Sequence, residues 1–300
     1  MGIVLGPNRF GKAETRVVRV TRHGDRHELA DLNVSVALSG DLAGTHLTGD
    51  NANVLTTDAQ KNTVYALARD GVRPVEEFAL RLARHFVDSQ PAIHRARVHV
   101  ERYGWDRLGP HSFARSGGEV RTATVAYARA AESGGHSSEQ GGCAVSGLTG
   151  LVLLNSTDSE FRGYVVDRYT TLPETSDRIL ATSVTAQWRH TSAMLDADWA
   201  KSYAEARRLL VEAFVDTYSK SLQQTLFAMG RRVLEGRGEL AEIRFALPNK
   251  HHLLVDLSPF GLDNPNEVFH ADDRPYGLIE GTVLREGAPD GGAWEDLWSS

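Results

Sequence analysis

The sequence predicts an α+β fold in which antiparallel strands carry helices on one face, in two successive units with the same order of elements. Three observations lead there. Several segments alternate apolar and polar residues with a period of two, the mark of strands with one buried face. Other stretches repeat their apolar residues at helical spacing. A Gly- and Ser-dominated stretch at 133–147 divides the chain, and the order of elements before it recurs after it. Strands and helices grouped in this way point to α+β architecture.

The first unit, 1–132, opens with strands over Thr15 to Arg22 and Leu32 to Leu38, with turn residues at Gly24-Asp25. In the second strand Leu32, Val34, Val36 and Leu38 form one face. A helix follows, with Asp58 as its predicted N-cap and Asp70-Gly71 as its end. The next helix runs from Pro74 to Asp88, with Val75, Phe78, Leu82 and Phe86 on one face. Two strands close the unit, around Ala96–Val100 and Val120–Arg129.

The second unit, 148–285, reads as a strand over Leu148 to Leu154 and a short helical connection over Phe161 to Tyr169. A strand over Ile179 to Trp188 comes next, then one long helix from Ala197 to Leu234. Strands over Ile243–Leu247, Leu253–Leu257 and Gly277–Leu284 follow. A Gly-, Pro- and acid-rich tail is predicted over 286–300.

Bulk properties exclude several classes. A chain of 300 residues has room for about two domain-sized units. Its net charge of -6 excludes a general nucleic-acid binder, which needs a Lys/Arg surplus to neutralise phosphates. One cysteine, Cys143, allows neither an internal disulfide nor a thiolate zinc cage, and suits a reducing cytoplasm. The N-terminus lacks a signal-peptide apolar core, and no apolar run reaches the about 20 residues of a membrane span. The ending Leu297-Trp298-Ser299-Ser300 is not a Ser-Lys-Leu peroxisomal address. The histidines lack metal-ligand spacing: His251 and His252 are adjacent and would face opposite ways in a strand, so no metal is expected. No glycine-rich nucleotide loop and no Gly-x-Ser-x-Gly elbow is present.

Three segments stand out as candidate chemistry. Leu55 to Thr63 places hydroxyls, a carboxylate and free N–H groups at a helix start, where oxyanions bind, although an N-cap alone explains the same residues. Ala246 to His252 interrupts a strand with Pro248 and a polar cluster, so a bulge or an edge is expected there, with a solvated hairpin end as the plain alternative. Thr157 to Arg178 contains Phe161, able to stack on a flat ligand, and Arg178, whose planar fork can grip one. Singly, such a Phe is more often core and such an Arg more often a surface ion pair.

Together these segments resemble the urate oxidase (uricase) family, bacterial type, from Lys12 to about Val283. The matching blocks are Thr57 to Thr63, Tyr169 to Arg178, Leu247 to His251, Asp256-Leu257-Ser258, Asn266 to Phe269 and Gly277-Leu278-Ile279. The resemblance implies the tunnelling fold (T-fold), whose chains close a β-barrel tunnel on oligomerisation into a homotetramer with active sites between subunits. It implies urate and O2 as substrates and no cofactor. Lys12, Thr57 and Asp58 would come from one subunit, with Asp58 offering its backbone N–H. From the neighbour, Phe161 would stack on the purine, Arg178 and Gln223 would clamp it, and the Leu222 backbone would add a bond. Asn249 would hold oxygen or water, and His251 would join Lys12 and Thr57 in moving protons. Many relatives carry Val where this chain has Leu222, a change that a backbone contact tolerates. A cyclohydrolase of the same fold would need metal ligands or an acidic ring anchor, and a mere purine binder would not need Lys12, Thr57 and His251 together.

Overall fold

The computed structural model describes residues 2–129, 141–191 and 197–288. The first pair of strands is longer than the alternation predicts: β1 spans Phe10–His23 and β2 Arg26–Gly40, joined at Gly24-Asp25. Then come a short helix α1 (Ala43–Leu47), α2 (Thr57–Ala68) and α3 (Val75–Ser89), followed by β3 (Ile93–Arg107) and β4 (Phe113–Ala128). The second run of elements is β5 (Gly141–Asn155), β6 (Leu180–His190), α4 (Trp199–Asp216), α5 (Leu222–Gly236) and β7 (Leu240–Pro248). It ends with the short strands β8 (His251–Leu254) and β9 (Phe269–Asp272) and with β10 (Leu278–Leu284).

Among the described residues, eight strands form one sheet in the order β1-β2-β3-β4-β5-β6-β7-β10, and β8 and β9 pair separately. The repeated strand-strand-helix-helix-strand-strand order is that of the tunnelling fold. The chain divides into two compact units. One holds the described residues up to Gly147 with those between Trp188 and Tyr203; the other holds Leu148–Gln187 and Ala204–Gly287.

In the first unit, Leu32, Val34, Val36 and Leu38 of β2 are buried, as their alternation predicts, and pack with Phe78, Leu82 and Phe86 of α3. The helix start at Glu76 is also buried, yet it carries a charge. Its carboxylate accepts from Arg121 Nη2 at 2.8 Å on both oxygens and from Ser146 Oγ at 2.8 Å. A buried charge persists only when paired in this way. In the second unit α5 lies on β7 and β10. A Cβ on Gly230 would stand 2.5 Å from Val283 Cγ2 and 2.8 Å from its Cβ, so glycine sets how closely helix and strand approach.

Several predicted elements differ. The long helix from Ala197 to Leu234 is broken: α4 stops at Asp216 and α5 starts at Leu222, because Ser221 caps a new helix by accepting from Gln224 N at 3.2 Å. No helix forms over Phe161 to Tyr169; Phe161 instead bridges Thr175 through backbone bonds of 2.9 and 3.1 Å. The strand expected over Leu253 to Leu257 is β8, which ends at Leu254 and, among the described residues, pairs only with β9. Residues 141–147 of the predicted Gly/Ser linker are the first half of β5. Residues 133–140, and the tail from 289 onward, lie outside the described residues.

Candidate active site

The predicted site residues fall into two groups, one in each unit. In the first unit, Lys12 lies near the start of β1, and its aim depends on an irregularity in the ladder. Lys12 stands opposite Val36 and Thr15 opposite Val34, so three steps along β1 match two along β2. Opposed residues share a face of a sheet. The one extra residue therefore puts both Lys12 and Thr15 on the core face that carries Val34 and Val36. Glu14 takes up the geometry with φ +56 and donates its N–H to Ser35 Oγ at 3.0 Å. A Cβ at Gly11 would sit 1.8 Å from Val36 O, so only glycine fits there.

Helix α2 packs against β1 and brings Thr57 and Asp58 to its first turn. The N-cap is Thr56 rather than Asp58: its Oγ1 accepts from Ala59 N at 3.1 Å. Asp58 lies two positions past the cap, and its carboxylate accepts from Lys61 Nζ at 2.6 Å and Asn62 Nδ2 at 2.9 Å. The hydrogen bond and charge of Lys61, with a smaller contribution from Lys12, hold the Asp58 carboxyl below the usual carboxylate range. The N–H groups of Thr57 and Asp58 donate to no described residue, as the first turn of a helix requires unless a ligand meets them. Buried Gln60 donates Nε2 to Leu55 O at 3.1 Å and ties down the segment before the helix.

In the second unit, Phe161 and Arg178 meet: the guanidinium lies 5.2 Å from the ring centroid. Tyr164 stacks on the same ring at 4.9 Å and 19°, a partner that nothing in the sequence pattern announced. Arg178 Nε donates to Ser159 Oγ at 3.2 Å, and its backbone N donates to Ser159 O at 3.0 Å. Its two terminal nitrogens form no hydrogen bond or ion pair among the described residues. Neighbouring carboxylates are engaged elsewhere: Glu174 accepts from Gly163 N at 2.7 Å, and Asp177 from Thr157 Oγ1 and Asn266 Nδ2 at 2.9 and 3.1 Å. Partial burial lowers the pKa of Arg178, and no compensating anion opposes it.

The Arg178 segment is fastened to the start of α5. Glu160 N donates to Ser219 O at 2.8 Å, and Ser219 N donates to Asp158 O at 2.9 Å. Two residues on, the Ser221 cap begins the helix whose first residues are Leu222 and Gln223. Leu222 is buried and Gln223 exposed, and the N–H groups of both donate to no described residue. The helix break missed in the sequence thus creates the position of Gln223. The signal for it was Ser221-x-x-Gln224, a capping pattern.

Asn249 follows the last residue of β7, Pro248, which closes the ladder at a strand end as expected of proline. Asn249 N donates to Gly277 O and Lys250 N to Ala181 O, both at 2.8 Å, while Asn249 bridges Thr182. Its backbone is therefore fixed to β6 a few residues beyond Arg178. The Asn249 amide and the His251 ring form no hydrogen bond among the described residues. His251 opens β8, opposite Asp272. Among the described residues no group of three or more His, Cys, Asp and Glu is placed to hold a metal ion, and no helix is long and apolar enough to cross a membrane.

Known proteins are similar to this chain over most of its length. The family model described as Uricase matches residues 8–126 and 144–280. The uricase of Arthrobacter globiformis is 51% identical over 300 residues, which cover 99% of this chain and 94% of that protein. The uricase of Dictyostelium discoideum is 34% identical over 288 residues, covering 93% of this chain and 96% of that one. The crystal structure of the Arthrobacter globiformis uricase matches with a TM-score of 0.91 at 50% identity, covering 98% of this chain and 99% of that chain. This chain belongs to the uricase family.

Proposed function

We propose that the two groups of residues are the two halves of a urate site, and that urate oxidation by this urate oxidase proceeds there without metal or organic cofactor. The observation that carries the assignment is Arg178: a partly buried guanidinium over an aromatic ring, with its terminal nitrogens unpaired among the described residues. Burying a cation without an anion costs free energy, and an anionic ligand recovers it. Urate is flat and anionic near neutral pH, so it suits both the ring of Phe161 and the fork of Arg178. Gln223, at the start of α5, grips the opposite edge, with the Leu222 N–H adding a bond. Asn249 holds O2 or water over the ring plane.

Ground-state O2 is a triplet and cannot attack a closed-shell molecule in one two-electron step. Electron-rich urate instead transfers one electron to O2 once it is held and deprotonated. Recombination at ring carbon C5 gives a hydroperoxide. Loss of hydrogen peroxide and addition of water give 5-hydroxyisourate. Lys12, Thr57 and His251 move the protons, Lys12 and Thr57 acting beside the uncovered N–H groups of α2.

In this assignment Lys12, Thr57 and Asp58 of one subunit complete the Phe161–Arg178 half of another, within a homotetramer whose sheets close a barrel. Exposed apolar residues support such an assembly: Val165 is 91% exposed, Tyr169 72% and Phe260 73%. Large apolar side chains left this open are available to an interface with another chain.

The test is decay of the urate absorbance band in air, by protein stripped with chelator and checked for flavin, together with release of hydrogen peroxide. Turnover should survive chelation and be lost in Lys12→Met and Thr57→Val variants. Turnover that persisted in both variants would remove the proton-transfer assignment.

A further inference from the structure

We propose that Ser159 is the positioning residue of the Arg178 clamp, fixing the plane of the guanidinium so that its two terminal nitrogens meet the substrate together. The inference rests on the urate-site assignment above and adds to it a residue that neither touches urate nor takes part in proton transfer.

Ser159 is 1% exposed, so its hydroxyl has no solvent to bond. It holds Arg178 at two points: its carbonyl accepts the Arg178 backbone N–H at 3.0 Å, and its hydroxyl accepts Nε–H at 3.2 Å. A guanidinium is planar, so fixing Nε in addition to the backbone fixes where both terminal nitrogens point. Without that bond the side chain keeps its charge and its contact with Phe161 but can rotate about its own axis.

The anchor is itself anchored. Asp158, with φ +57, turns the chain so that Ser159 lies inside, and the flanking Asp158 O and Glu160 N bond both backbone groups of Ser219. Ser219 and Thr225 are fully buried, and Thr225 Oγ1 donates to Ser219 Oγ at 2.8 Å. Thr225 lies in the first turns of α5, three residues beyond Leu222. One buried bridge thus sets both the tilt of the Arg178 jaw and its distance from the jaw at Gln223. A hydroxyl whose role were packing alone would not need to meet the single guanidinium nitrogen that a bidentate grip leaves free.

The experiment is steady-state urate oxidation by the full-length assembled enzyme with Ser159→Ala, Ser159→Thr, Arg178→Met and the double variant Ser159→Ala/Arg178→Met. A hydrogen bond to a charged group corresponds to about a tenfold effect or more. Ser159→Ala should raise KM for urate about tenfold with kcat changed far less, and lower the melting temperature by no more than about 4 °C. Ser159→Thr, which keeps the oxygen, should recover most of the loss. In the Arg178→Met background the Ser159→Ala change should have no further effect on KM, because Ser159 acts only through Arg178. An unchanged KM in Ser159→Ala, or effects that add independently in the double variant, would overturn the proposal. If Arg178→Met alone left KM unchanged, the clamp assignment itself would fall, whatever Ser159 did.

Discussion

Replacing Arg178 with Met separates the two things a guanidinium can do at its position: hold the fold or hold an anion. The fold has little to lose. Arg178 makes one side-chain hydrogen bond among the described residues, to Ser159 Oγ at 3.2 Å. Losing it costs about 1 kcal/mol, and the change also removes a partly buried cation that has no partner. Methionine keeps the unbranched stem and a soft contact with Phe161. The net change in stability should stay within about 1 kcal/mol, a shift in Tm of no more than about 4 °C for a domain of this size. Substrate binding has much to lose. Two charge-assisted hydrogen bonds from the terminal nitrogens are together worth at least about 3 kcal/mol, or a loss of about a hundredfold in kcat/KM. Urate turnover followed by absorbance and thermal unfolding followed by calorimetry measure the two sides on the same sample. A kcat/KM within about threefold of the parent, or a loss of stability above about 2 kcal/mol, would refute the reasoning, because the guanidinium would then serve the fold.

Other consequences follow from the packing and the charges. Gly230→Ala should destabilise the protein by about 1–3 kcal/mol in denaturant unfolding, because the clash with Val283 outweighs the gain in helix propensity of about 1 kcal/mol. The His99 imidazole is held below its usual pKa mainly by burial, and its Nδ1 lies 2.8 Å from Thr124 Oγ1. The unfolded chain therefore binds a proton at His99 more readily than the folded one, so stability falls as pH drops below about 6.5 toward the folded value. His99→Gln should flatten that part of the pH–stability curve, and an unchanged slope would show that another group is responsible.

Legibility in the sequence followed the locality of the interactions. Strands with one buried face, such as Leu32 to Leu38, were readable because alternation is written into neighbouring residues. The break between α4 and α5 was hidden because the apolar stripe runs on through Leu222, Leu226 and Met229, and only Ser221 and Gln224 mark a new start. The segment after Phe161 reads as helical in the sequence, whereas the bonds that shape its start come from Thr175, fourteen residues on. The site residues came from the resemblance, since no periodicity points to Arg178 or Asn249. Ser159 was invisible for the same reason that it matters: a small buried hydroxyl leaves no pattern, and its meaning lies in one distant nitrogen.

The extra residue between Lys12 and Thr15 makes the N-terminal end of β1 sensitive to counting rather than to chemistry. Ala13 is exposed, and many side chains should be tolerated there. Removing it should leave the aim of Lys12 intact, since two steps along β1 would then match two along β2 and Lys12 would still stand opposite Val36. Adding a residue should not: with the same single irregularity Lys12 would stand opposite Ala37 and turn to the other side of the sheet while keeping its identity and charge. A library of single substitutions would mark this stretch as permissive, and a library of single insertions would mark it as constrained. Inheritance of the lysine would then be inheritance of a spacing, held in place by Gly11 on one side and Glu14 on the other.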